Sequence, residues 1–498
     1  VNARPPGGRQ APRRVVIVGY GLAGARLAER IRERDPGGER VSLTVVGAEP
    51  GPAYNRVLLS GVLAGTLTAA DTRLHDRDWA ARHHVTLRLG APAVRLDLAA
   101  RTIVLAGGAT VGYDTLVLAT GARPWLPPVE GLTGDRGEPA AGVATLRDLD
   151  DCLRIERQAG PGVPLAVLGG GVLGVETALG LAGRGARVTL VHPAGHLMER
   201  QLDPMAGATL AGLCRAAGVR TLTGQSAVRY YPGEGVKLDD GSFVPAALTV
   251  VTAGTRPGVE LAARAGLTTD AGIVVDDRLR TTDPRVHAIG DCAQPGRPPA
   301  GLARPAWRQA EVLADLLTGA DPAARYRPEP AVTRLRAGPV DLTAFGEIRL
   351  NPHDTRAGVE VLAFADPARG VYAKLTLSGG DRVIGGVSLG LPDAAARLVE
   401  LYDGDRPAPA DRTALLLGRA LPPPVAAEPP ETALVCRCNA VTRADLKRAA
   451  REDGDPAERA AATRAGTGCG DCLPEVRRLL RRGAPTEGPH EPAEGSDP

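Results

Sequence analysis

Lysine is almost missing from these 498 residues: Lys237, Lys374 and Lys447 are the whole set, and arginine carries the remaining positive charge. The formal net charge is only +3 and charge runs are few, so composition gives no argument for nucleic-acid binding. No apolar run approaches the ~20 residues that a membrane span requires. Cysteine is scarce as well. Of the seven, Cys152, Cys214 and Cys292 are scattered singly, unlike the framework of a secreted disulfide-rich protein, and they read as packing residues. Arg13-Arg14 before an apolar run imitates a twin-arginine export signal. That run is also the first strand and glycine turn of a nucleotide fold, which cleavage would destroy. The expectation is a cytoplasmic chain of roughly three domains, with neither membrane nor nucleic acid as partner.

What is present begins at residues 15–33, VVIVGYGLAGARLAERIRE. Val15, Val16, Ile17 and Val18 read as a buried parallel strand, and an Ala/Leu/Ile-patterned helix leaves the glycine turn that follows. Gly19 permits the tight turn, Gly21 lets a pyrophosphate approach the backbone, and Gly24 lets helix pack on strand. A second strand over 41–46 ends near Glu49, at the distance where an acid takes a ribose 2′-hydroxyl. The unit recurs at 164–192, PLAVLGGGVLGVETALGLAGRGARVTLVH. Here the strand is 165–168, the glycines are Gly169, Gly171 and Gly174, the helix is 175–184 and the next strand 187–191. Two complete units imply two nucleotides, one of which can be a tightly held flavin.

Strands are also expected at 102–105 and 116–119, the latter running into Ala119-Thr120-Gly121, a tight passage beside the first nucleotide. A helix is expected near 305–317. Alternation at 371–377 and 383–389 around Gly379-Gly380, with a helix at 393–402, suggests a smaller α+β domain. PPPVAAEPP at 422–430 is an extended linker.

The two glycine motifs, Ala119-Thr120-Gly121 and Ala288-Ile289-Gly290-Asp291 resemble, as a set, the two-dinucleotide flavoprotein reductases over about residues 14–320. The resemblance implies FAD on the first motif and NAD(P)H on the second. It implies Asp291 on the flavin's ribityl chain, Arg56 near the FAD phosphates and Val94 meeting the adenine through its backbone. It also implies Glu176 facing the nicotinamide pocket; alternatively, Glu176 only complements its helix dipole. His192 stands where the second fold's ribose-binding acid usually is. With no adjacent Arg it leaves NADH and NADPH open, while Gly174, where NADP-binding folds often carry Ala, leans towards NADH. YNRVLLS (54–60) and MERQLD (198–203) are similar to the flavoprotein part of assimilatory nitrite and nitrate reductase systems.

The other four cysteines form two close pairs, Cys436-x-Cys438 and Cys469-x-x-Cys472, each just before an expected helix. Thr442-x-x-Asp445 is a capping start for one helix, and Pro474 suits the first position of the other. Helix N-termini and nearby Arg would offset the negative charge of a thiolate-held cluster. The same set suits a structural zinc. Two nucleotide sites upstream favour iron–sulfur, because a redox flavin benefits from a one-electron acceptor. VCRCN, VTRADLKRA and TRAGTGCGDC together resemble the bacterioferritin-associated-ferredoxin type of [2Fe-2S] domain, which those reductase systems also carry. No CxxC follows the first glycine helix or lies in the second nucleotide domain, so the dithiol relay of disulfide-reducing flavoproteins is missing. RRLLRR at 477–482 reads as a solvated helix end, with a basic docking face as the alternative.

The expected fold is α/β, glutathione-reductase-like. It has an FAD-binding domain over 14–133 and 253–322, an NAD(P)H-binding domain over 134–252 and an α+β interface domain over 326–420. A Pro-rich linker over 421–432, a helical [2Fe-2S] domain over 433–483 and a disordered tail over 484–498 complete it. The expected function is electron passage from NAD(P)H through FAD and the cluster to a separate nitrate or nitrite reductase catalytic subunit. A complete nitrite reductase would need a further [4Fe-4S]/siroheme domain. The alternatives are a general ferredoxin- or rubredoxin-type reductase, or a C-terminal zinc- or iron-handling interaction module. No acid–base catalyst is expected, since the cofactors carry the chemistry.

Overall fold

The computed structural model describes residues 11–296, 301–353, 358–419, 430–436, 439, 441–451, 459, 462–466 and 472–481. The expected terminal tail and most of the expected linker lie outside these. The chain divides into two compact units, residues 1–422 and 423–498.

In the larger unit, Arg13–Val18 is the middle strand of a five-stranded parallel sheet. Thr115–Leu118 and Val286–Ala288 lie on one side, Val41–Val46 and Val85–Arg88 on the other. Val15 to Val18 are all buried, as a strand covered on both faces must be. A second parallel sheet is built the same way around Pro164–Leu168, between Arg187–His192 and Leu248–Val251, with Arg220–Thr223 and Val143–Thr145 outside. The chain thus leaves the first sheet, builds the second, and returns at 286–288 to finish the first. That return brings Asp291 back beside the first glycine loop. Helices Leu22–Arg34 and Val172–Gly183 leave the two loops; the second starts three residues before the expected 175, directly from Gly171.

The first glycine helix also packs against Ala303–Thr318, which Gly319 terminates in the left-handed conformation. Arg26, Arg30 and Arg34, four residues apart, face Glu311 at 3.6, 2.5 and 3.1 Å, and Arg34 reaches Asp315 at 2.6 Å. Arginine therefore lines one stripe of this helix because its partner supplies carboxylates there.

The third sheet is antiparallel, in the order Val332–Ala337, Val340–Gly346, Arg382–Leu389, Val371–Ser378, Val359–Asp366, with helix Pro392–Asp403 packed on it. One of the three lysines is buried here. Lys374 Nζ donates to Asp203 Oδ2 at 3.0 Å and to the Ile348 carbonyl at 2.8 Å, and the Tyr372 hydroxyl donates to the same carboxylate at 2.7 Å. The other oxygen of Asp203 caps helix Pro204–Ala216 through the Ala206 N–H at 2.9 Å. Burial raises the Asp203 carboxyl's pKa, but these donors outweigh it and hold the group below its ordinary value. The pair's side chains are only 1% and 7% exposed, so removing one partner strands a charge. Lys374→Met is expected to cost about 3–5 kcal/mol in denaturant unfolding. Adding Asp203→Asn should recover part of that loss, since no charge is then left unpaired.

In the smaller unit, Leu434–Cys436 pairs with Val441–Thr442, followed by helices Arg443–Ala449 and Leu473–Arg481. Thr442 and Asp445 form a full capping box. Pro474 is the second helical residue rather than the first. Arg478, in the basic run, is exposed and donates to Glu475 at 2.7 Å. Cys436 and Cys472 share one apolar core with Leu446, Val476 and Leu480. Among the described residues no helix is long and apolar enough to cross a membrane.

Candidate dinucleotide and cluster sites

The two glycine loops agree position by position. Gly19 and Gly169 both have φ +116°, and a Cβ there would lie 2.1 Å from the Ala119 carbonyl oxygen or 2.6 Å from that of Thr252. At Gly24 and Gly174 a Cβ would lie 1.9 and 1.7 Å from the carbonyl oxygens of Gly19 and Gly169. Gly174 thus has no room for alanine on this backbone. The middle glycines differ. A Cβ on Gly21 would meet only Arg56 Nε at 3.8 Å, and one on Gly171 would meet nothing within 4 Å. Each middle glycine N-caps its helix without a side-chain cap, so the first-turn N–H groups are left facing that open side. Helix N-termini approached over bare glycine fit a pyrophosphate at both loops.

A polar chain crosses the mouth of the first loop. The Tyr54 hydroxyl donates to Glu49 Oε2 at 2.7 Å, and Arg56 pairs with the other oxygen of Glu49. Arg56 also donates to the Arg147 carbonyl at 3.0 Å, and the Arg147 guanidinium meets Asp291 at 3.2 Å. Glu49, expected on a ribose, is held by Tyr54 and Arg56. Asp291 sits in a single turn, Gly290–Cys292, whose first N–H is bound by Gln309 at 2.6 Å. The Thr120 hydroxyl donates to the Gly258 carbonyl at 2.6 Å, and Gly121 takes φ +68° beside Arg147. Val94 is exposed on strand Ala93–Asp97.

Tyr20, between Gly19 and Gly21, has partners that sequence reasoning missed. Its hydroxyl lies 2.6 Å from His75 Nδ1, and His75 Nε2 lies 2.8 Å from Glu29. The carboxylate accepts, so Nε2 carries the proton, Nδ1 accepts, and Tyr20 donates. Trp79 stacks on the His75 ring at 3.7 Å. No spacing rule links residues 20, 29, 75 and 79.

At the second loop, His192 is buried, with Nδ1 accepting from the Gly170 N–H at 3.1 Å and Nε2 donating to Glu199 at 2.8 Å. It braces the loop rather than facing outward. Glu176, the fifth residue of the second glycine helix and so past its first turn, has the Ser60 hydroxyl as a partner. Ser60 belongs to helix Leu59–Leu63, which packs on the second glycine helix where Gly180 nearly touches Ala64. Glu176 therefore lies between the two nucleotide folds. Burial pushes its carboxyl up to about 7, partly offset by Ser60. The folded protein then holds a proton that the unfolded chain releases near 4.5, so stability falls as pH rises from about 4.5 to 7 and levels off above. Glu176→Gln should remove that fall. The melting temperature of the variant relative to wild type is expected to climb between pH 5 and 7 and then hold.

Cys152, Cys214 and Cys292 are buried thiols. Burial pushes Cys152 up to about 11 and Cys214 up to about 12 and raises Cys292, which makes all three poor nucleophiles. Of the four expected metal ligands, Cys436 ends its strand and Cys472 precedes the last helix, both buried. Cys438 and Cys469 lie outside the described residues. Asn439 donates from Nδ2 to Cys436 Sγ at 3.7 Å. Two thiols in one apolar core, one already receiving an N–H, fit a thiolate-held centre.

Residues 13–310 match the family model of the pyridine nucleotide-disulphide oxidoreductases, and 434–482 match the BFD-like [2Fe-2S] binding domain. The chain is 30% identical to a nitrite reductase [NAD(P)H] of Bacillus subtilis (strain 168), over 94% of this chain and 57% of that one. It is 29% identical to the assimilatory nitrate reductase electron transfer subunit of the same strain, over 94% and 59%. It therefore spans less than two thirds of either relative. Among solved structures, the covalent putidaredoxin reductase–putidaredoxin complex is similar at a TM-score of 0.70 and 28% identity, covering 80% of this chain and 94% of that one. FAD, NAD(P)H and a [2Fe-2S] cluster are the cofactors that the two matched domains imply. The chain accordingly belongs to the pyridine nucleotide-disulphide oxidoreductase family, as an NAD(P)H-dependent flavoprotein oxidoreductase that also carries a BFD-like [2Fe-2S] domain.

Proposed function

We propose that this chain is an electron-input component that draws on NAD(P)H and delivers electrons through its C-terminal cluster to a separate nitrate or nitrite reductase catalytic subunit. When bound, FAD accepts hydride as an electron pair and the cluster releases electrons singly. Gly19, Gly21 and Gly24, with Arg56 and Arg147, hold the FAD pyrophosphate, Asp291 accepts from the ribityl hydroxyls, and Thr120 and Gly121 shape the passage beside it. Glu49 serves the FAD ribose, and Val94 serves the adenine. Gly169, Gly171 and Gly174 hold the nicotinamide cofactor, with Glu176 between the two sites. Glu199, held against His192, places negative charge near the second loop, which disfavours a 2′-phosphate and so NADPH. Cys436, Cys438, Cys469 and Cys472 ligate the cluster. A cytoplasmic setting supplies the reductant.

The observation that carries this reading is the pairing of two open glycine cradles with a buried thiol core in one chain. The names of the two Bacillus relatives, which match 94% of the chain, support the acceptor class. The test is anaerobic titration of the purified holoprotein with NADH. Electron uptake should exceed flavin capacity, with cluster absorbance bleaching alongside the flavin's. Mixing with a candidate catalytic subunit should then couple NADH oxidation to nitrate or nitrite loss. A pair that consumes neither ion sinks the acceptor assignment.

A further inference from the structure

We infer that Asn439 sets the reduction potential of the [2Fe-2S] centre by donating its side-chain N–H to the sulfur of Cys436. The inference rests on the reading above that Cys436 is a cluster ligand. Asn439 Nδ2 lies 3.7 Å from Cys436 Sγ and also donates to the backbone carbonyl of Arg464. Both partners are acceptors, and that fixes the amide orientation. Turned over, Oδ1 would face two electron-rich atoms. Arg464 takes φ +57°, a left-handed conformation unusual for a residue with a side chain, and its carbonyl meets Asn439 from there. The loop that carries Asn439 is thereby tied to the segment around 464. Cys436 is only 1% exposed, so water competes little for its sulfur.

The chemistry has a definite sign. A thiolate that accepts an N–H gives less electron density to iron, and the centre gains one negative charge on reduction. The N–H therefore stabilises the reduced form more than the oxidised one, and the potential rises. One electron is added and no bond is made or broken. Asn439 is a positioning residue in this sense: it makes the centre a readier acceptor for electrons arriving from the flavin.

A purely structural turn residue would affect folding but leave the potential in place, so the potential is the readout. Asn439→Leu keeps the size and removes the donor. Iron, sulfide and visible spectra of wild type and variant come first, in the full-length holoprotein. A wild type without a [2Fe-2S] spectrum overturns the ligand reading and the inference with it. With the cluster present in both, the reduced-to-oxidised ratio at a fixed ambient potential should fall about tenfold in the variant, a downward shift of about 59 mV for a one-electron couple. An unchanged midpoint overturns the inference and leaves the ligand reading intact. Should the variant lose its cluster, wild type labelled with side-chain ¹⁵N-asparagine decides. Pulsed EPR of the reduced centre shows a nitrogen coupling at the labelled amide if the bond exists, and its absence rejects the bond.

Discussion

Cys469→Ser is expected to stop electron delivery to a protein acceptor while leaving NADH-driven bleaching of the flavin at its wild-type rate. On the proposed ligation by Cys436, Cys438, Cys469 and Cys472 the cluster would need all four thiolates, since hydroxyl is a far poorer ligand for iron–sulfur than thiolate. Loss of even an outer partner at a metal site costs 10–100-fold, so loss of a ligand should lower acceptor reduction by about 100-fold or more. The flavin step should survive because both glycine loops lie in the unit 1–422, and Cys469 belongs to 423–498. Rapid mixing with NADH measures the first step and reduction of the partner protein measures the second. Iron and zinc analysis of the same samples shows which metal the site had held. If the variant reduces its acceptor as fast as wild type, the cluster is off the route. The chain would then act as a general ferredoxin-type reductase, handing electrons straight from flavin to an external carrier.

What could be read in advance was what is local. The glycine loops declared themselves because a tight turn, an open approach and a helix-on-strand contact all fall within six residues, the first and third glycines having no room for a Cβ and the middle one keeping the approach bare. The Thr442 capping box is equally local and came out as expected. Side-chain partners were less legible. Glu49 and His192 were placed correctly at strand ends, yet Tyr54 with Arg56 in one case, and Gly170 with Glu199 in the other, decide what those side chains do. Long-range groupings left no trace in spacing. Arg147 meets Asp291 across 144 positions, and Lys374 meets Asp203 across 171. Only the fold brings them together. In the antiparallel sheet, the two strands with clear alternation were anticipated. The edge strand Val359–Asp366, VEVLAFAD, is largely apolar but does not sustain an apolar/polar alternation, and none of its residues is fully buried.

Comparing alanine at the middle and third glycines should separate cofactor binding from folding at each loop. Gly21 has φ −89° and Gly171 φ −75°, both ordinary for an L residue, and a Cβ at either meets nothing closer than Arg56 Nε at 3.8 Å. Gly21→Ala and Gly171→Ala should therefore leave the melting temperature of the cofactor-free protein unchanged. A methyl group there stands where a pyrophosphate must approach, so affinity for the cofactor should fall by about tenfold or more, roughly 1.4 kcal/mol. Gly24→Ala and Gly174→Ala differ, because their Cβ atoms would fall within 2 Å of a carbonyl oxygen in the same loop. Helix must then retreat from strand, and stability and binding should be lost together. The middle-glycine pair also tests which cofactor sits where. FAD retained through gel filtration should drop in Gly21→Ala, and the KM for NADH should rise in Gly171→Ala with FAD content intact. FAD lost from Gly171→Ala and kept by Gly21→Ala would reverse the assignment of the two loops, leaving Asp291 beside the loop that does not hold the flavin.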